Sequence, residues 1–100
     1  MVELTIDGDV LKLSGLLNVD TVNNYYDPGL KAIDKHGSLT VDLSGAEIVG
    51  SAGVALLIAW QRRSLELEKQ MQIIHAPEHF IKMALVSGVK EILPFSDVSN

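Results

Sequence analysis

The chain has no cysteine among its 100 residues, which excludes a disulfide framework and any thiolate-based zinc or redox centre. Positive charge is scarce as well. Eight Lys and Arg stand against thirteen Asp and Glu, a net charge of -5, which argues against a nucleic-acid binder held by its overall field. Long apolar runs are missing: the longest, Val54–Trp60, is far short of the roughly 20 residues a membrane span needs. No direct insertion in a bilayer is expected. The opening, MVELTIDGD, has neither a basic nor an apolar stretch, so a secretory signal is not expected either. No repeat, low-complexity tract or linker interrupts the chain. What is present is apolar material, 47% against 21% charged residues, enough to bury a core. The expectation is one cytoplasmic domain over residues 1–100, with 95–100 as a loose polar tail.

Val2, Leu4 and Ile6 alternate with polar residues, and Val10, Leu11 and Leu13 follow Asp7-Gly8. Asp-Gly between two such runs signals a hairpin, because glycine accepts the positive φ of a tight turn. Strands are expected at about 2–6 and 10–14, with Gly15 ending the second. Asn18 or Asp20 can cap a helix reaching Lys35. Pro28 inside it should kink or split it, and Gly37 suits its C-cap. Residues 38–44 read as a buried strand, and Gly45–Gly50 as a short connection. A helix starts at Ser51 and runs through a stretch rich in Ala, Leu, Glu and Lys. A strand at 71–75, a helix opened by Pro77 and stopped by Gly88, and a short element at 89–94 complete the order. Strands alternating with helices require crossover connections and a largely parallel sheet. The fold class is therefore α/β: a small mixed sheet of four or five strands with helices packed against one face.

Residues 41–57, VDLSGAEIVGSAGVALL, carry the most information. A strand runs through a loop into a helix whose first residues, Ser51, Ala52 and Gly53, leave the backbone uncovered beside the free amides of a first turn. Either a partner or a phosphate approaches there, or Ser51 is a plain N-cap and Gly53 a close-packing residue. Enzyme readings fail. A P-loop needs a lysine that is absent, and a nucleophile elbow needs a glycine where Val49 stands. His75 and His79 are four apart, but Pro77 separates them and no further ligand is near. Asp42 lies within an apolar strand with no partner acid or His at a definable spacing, as a structural carboxylate would. On the 51–69 helix, Val54, Leu57, Ile58 and Leu65 form one stripe. Leu56, Trp60 and Leu67, with Arg63 beside them, form a second. That second stripe packs on a neighbouring helix or belongs to a docking patch, whose aromatic-plus-Arg composition suits a hot spot.

The same segment, with IIHAP at 73–77 and ALVSGVKEILP at 84–94, resembles the STAS domain, the module of bacterial anti-sigma-factor antagonists. The family pattern is a strand ending Asp-Leu-Ser, then Asp-Ser-Ser/Ala-Gly at a helix start. Asp42-Leu43-Ser44 and Ser51-Ala52-Gly53 match it, while Gly50 stands where the acid usually precedes the serine. The resemblance implies that Ser51 is the regulatory serine, which the antagonists present for phosphorylation by a partner kinase. Ala55-Leu56-Leu57, Trp60-Gln61-Arg62-Arg63 and Val86-Ser87-Gly88-Val89 look more like the STAS subunit of Mla-type lipid-transport ABC systems. That likeness implies a non-catalytic subunit that binds the cytoplasmic ATPase and sits at the inner membrane only through that partner. Gly50, Ser51, Ala52, Gly53, Leu56, Trp60 and Arg63 are the expected partner-binding residues, with no metal and no cofactor. The alternative is a phospho-switch in which an anti-sigma serine kinase modifies Ser51. A small-molecule sensor has no specific support, and self-association as a weak homodimer is left open.

Overall fold

A computed structural model describes residues 3–96. The elements are β1 (Glu3–Asp7), β2 (Val10–Leu17), α1 (Asn23–Lys35), β3 (Leu39–Ile48), α2 (Ala52–Glu66), β4 (Met71–Ile74) and α3 (Glu78–Val86). The sheet order is β1-β2-β3-β4. β1 and β2 are antiparallel, with Asp7 opposite Val10, so Gly8 and Asp9 alone make the hairpin loop. Gly8 has φ +62 and Asp9 has no positive φ, the pattern of a type II′ turn. β2–β3 and β3–β4 are parallel, as the α1 and α2 crossovers require.

One face of the sheet is apolar. Leu11, Leu13 and Leu17 of β2, Leu39, Val41 and Leu43 of β3, and Met71 and Ile73 of β4 are buried with Tyr25, Trp60 and Phe80 from the helices. Lys12, Thr40, Asp42 and Gln72 occupy the opposite side of the same register. The expectation of helices on one face of a small mixed sheet is met.

Two strands are longer than the glycines suggested. β2 continues through Gly15 to Leu17, and β3 through Gly45 to Ile48, because each supplies the other's hydrogen bonds across Ser14–Gly45, Gly15–Ala46 and Leu17–Ile48. A Cβ on Gly45 would lie 3.2 Å from the Leu13 carbonyl oxygen, so this glycine permits a close strand approach instead of ending a strand. Between Lys12↔Asp42 and Ser14↔Gly45 the register shifts: β2 advances two residues while β3 advances three. The extra residue makes a bulge in β3.

α1 runs unbroken through Pro28. It begins later than expected, because Asn18 caps a separate turn: its Oδ1 accepts from the Asp20 and Thr21 amides at 2.9 and 3.1 Å. His36, not Gly37, is its C-cap. Gly88 does stop α3, with φ +76 and the paired bonds Val89 N–H to Ala84 O and Gly88 N–H to Leu85 O of a Schellman end. Phe95 and Ser96, assigned to a loose tail by sequence, are tied down. The Ser96 amide donates to Ile73 O at 3.0 Å, and Phe95 meets Phe80 edge-on at 6.1 Å. Residues 97–100 of that tail lie outside the described residues, as does Val2 of the expected first strand.

Candidate interaction site

The crossover from β3 to α2 opens the candidate site. Gly50 turns the chain with φ +77, and a Cβ there would touch nothing within 4 Å. The left-handed backbone, not crowding, is what favours glycine at this point. Ser51 follows as N-cap of α2 and makes no side-chain cap hydrogen bond. Its backbone oxygen accepts from the Val54 amide at 3.0 Å, while the side chain stands on an exposed residue. No acid occupies the first turn of α2, so the helix start keeps its positive end uncompensated.

Gly53 lies beneath this surface. A Cβ there would come within 3.2–3.3 Å of Leu17, Phe80 and Ile48, so the glycine lets α2 descend onto the sheet. It is a buried packing residue. Ala52, half-buried, joins Asn18, Val19, Val49, Gly50 and Ser51 around an open depression of about 360 Å³. Val19 is 76% exposed and Val49 50%. These two valines were not legible as site residues. They belong to different loops, and only the parallel β2–β3 pairing brings their loops side by side.

Leu56 and Trp60 require correction, while Arg63 keeps an exposed face and is engaged within the chain. Leu56 is 2% and Trp60 0% exposed. The indole covers Gly29 of α1, where a Cβ would fall 2.0 Å from its Cζ2, and Nε1–H donates to Tyr26 O at 3.2 Å. Arg63 forms a two-point ion pair with Asp34, Nε to Oδ1 at 2.8 Å and Nη2 to Oδ2 at 2.9 Å. The guanidinium's hydrogen bonds hold the Asp34 carboxyl below its ordinary range. Trp60 and Arg63 of the second stripe therefore engage α1, while Leu67 at its end stays exposed. Arg63 also stands twelve residues from Ser51, about 18 Å along the helix.

Asp42 is hydrogen-bonded within its strand, as expected, and the structure also gives it a histidine partner, His75, that no spacing in the sequence defined. The β3 bulge removes the Ser44 amide from the ladder, and that amide donates to Asp42 Oδ1 at 2.9 Å. His75 Nδ1 lies 2.9 Å from the same oxygen. Burial alone would raise the Asp42 pKa, but the bonds from Ser44 and His75 outweigh it and hold the carboxyl below its ordinary value. His79 sits apart from His75, with Nε2 3.0 Å from the Ile48 carbonyl oxygen. Among the described residues no group of three or more His, Asp or Glu side chains could hold a metal, and no helix is long and apolar enough to cross a membrane.

A four-stranded mixed sheet with helices on one face and a serine at the start of the helix after β3 is the arrangement of a STAS-type domain. The family model described as the Mlab STAS domain matches residues 1–94, and the chain belongs to that family. No curated protein matches the sequence. Among solved structures, a chain of the Acinetobacter MlaFEDB complex in an ATP-bound conformation is similar at 25% identity and TM-score 0.77, over 89% of this chain and 95% of that one. An anti-sigma factor antagonist from Mycobacterium paratuberculosis shares the fold at 19% identity and TM-score 0.77, covering 98% and 86% of the two chains. So does the phosphorylated Bacillus cell fate determinant SpoIIAA, at 15% identity and TM-score 0.70 over 99% and 94%.

Proposed function

We propose that this chain is a non-catalytic regulatory subunit that docks, through the loop and helix start around Ser51, onto the cytoplasmic ATPase of an Mla-type lipid-transport ABC system. The observation that carries the reading is the depression ringed by Val19, Val49, Gly50, Ser51 and Ala52. It lies beside a helix start whose Ala52 and Gly53 amides come ahead of the helix's first hydrogen bond, Val54 N–H to Ser51 O. The family match and the likeness to a chain of the MlaFEDB complex support an ATPase as the partner. Localisation is then cytoplasmic, at the inner membrane only by way of the complex.

Titration calorimetry against the purified ATPase subunit from the same organism tests the reading. Ser51→Glu places a charge in the contact and lowers affinity more than tenfold, about 1.4 kcal/mol or more, while circular dichroism shows an intact fold. Unchanged affinity refutes this placement of the interface. The second reading, a phospho-switch under an anti-sigma serine kinase, is favoured by the exposed Ser51 side chain, which no cap bond engages. Intact mass spectrometry of the native protein separates the two, since the switch requires a phosphorylated population that Ser51→Ala abolishes.

A further inference from the structure

We propose that His79 is a positioning residue for the Ser51 loop, a role that rests on the docking surface proposed above but is readable in the free protein. The peptide unit joining Ile48 to Val49 is the last but one before Gly50, separated from it only by the Val49–Gly50 unit. Both of its polar groups are held, each by a different element. Its N–H, on Val49, donates to Leu17 O of β2 at 2.9 Å. Its carbonyl oxygen, on Ile48, lies 3.0 Å from His79 Nε2 in the first turn of α3. A carbonyl only accepts, so Nε2 carries the hydrogen. Pinning both ends fixes the 48–49 plane and leaves Val49 as the single residue between it and the left-handed Gly50, which limits the directions in which Ser51 is presented. The next residue of α3 completes the grip, because the Phe80 ring packs against Gly53, its Cε1 3.2 Å from where a Cβ there would stand. The first turn of α3 therefore brackets Ser51 from both sides in sequence, His79 before it and Phe80 after it.

The test is amide hydrogen exchange followed by NMR on the isolated full chain, with His79→Gln, His79→Phe and His79→Ala. Glutamine keeps an N–H donor of similar reach, phenylalanine keeps the ring without the donor, and alanine removes both. The Val49 amide exchanges at least tenfold faster in His79→Phe and His79→Ala, stays within about threefold of the parent in His79→Gln, and the Val41 and Leu43 amides of β3 do not follow it. Equal protection of Val49 in His79→Phe, or a parallel rise at Val49, Val41 and Leu43 that marks a global effect, overturns the proposal. Failure of the docking surface is read separately: Ser51→Glu then leaves ATPase binding unchanged whatever the exchange at Val49.

Discussion

Asp42 shows how one residue's role follows from its surroundings. A carboxylate with 7% exposure inside an apolar strand looks like a candidate catalyst. The bulge gives it a plainer task, because the Ser44 amide freed from the ladder must find an acceptor. Asp42→Ala leaves the Ser44 amide without this acceptor and lowers stability by about 1–3 kcal/mol, measured by urea unfolding. The folded-state pKa of Asp42 lies below its ordinary value, so the unfolded chain takes up the proton first on acidification. Its contribution is complete above the unfolded carboxylate value of about 3.9 and is lost as pH falls through the lower folded value. Denaturation midpoints across that range decline less steeply in Asp42→Asn than in the parent chain. His75, held at φ +58 beside this carboxylate, illustrates strain that a local hydrogen bond sustains. Neither the bulge nor the left-handed histidine is visible in a residue pattern, since both arise from how β3 registers against β2 and β4.

At the scale of elements, sequence was most legible where one residue type has one physical use. Asp7-Gly8 gave the hairpin and Gly88 the end of α3, both through positive φ. Gly15 and Gly45 misled because a glycine can also let two strands approach, which depends on a neighbour distant in sequence. The two stripes of α2 were legible as apolar faces, but a stripe states that a residue seeks burial and not what buries it. Leu56 and Trp60 are both buried, Trp60 against α1, which leaves the proposed docking surface to smaller residues. Gly29→Ala should accordingly destabilise the α1–α2 contact: the gain in helix propensity is outweighed by an overlap with Trp60 that costs about 1–3 kcal/mol, read as a lower thermal midpoint. α2 itself ends on Glu68 at φ +56, with the Lys69 amide reaching back to Ser64 O at 2.8 Å. Glycine is the residue such an end prefers, so Glu68→Gly raises unfolding free energy by about 0.5–1 kcal/mol without touching the Ser51 surface.

For the molecule as a whole, the ends of the parallel strands have different work. At the N-terminal end of β3 and β4 the helices are tied together, as where Lys69 Nζ donates to the Ile33 and Asp34 carbonyls closing α1, at 2.7 and 3.0 Å. At the C-terminal end of β2 and β3 the loops carry Val19 and Val49 outward around Ser51. The contact proposed above lies at this pole, and the other serves as scaffold. Site-specific photocrosslinking in native cells is the most direct measurement of that claim, with the photoreactive residue placed at Val49 at the contact pole or at Gln70 at the scaffold pole. The account predicts a crosslink to the ATPase subunit from position 49, lost when Ser51→Glu is added, and none from position 70. Crosslinks to that subunit from position 70 alone would contradict it.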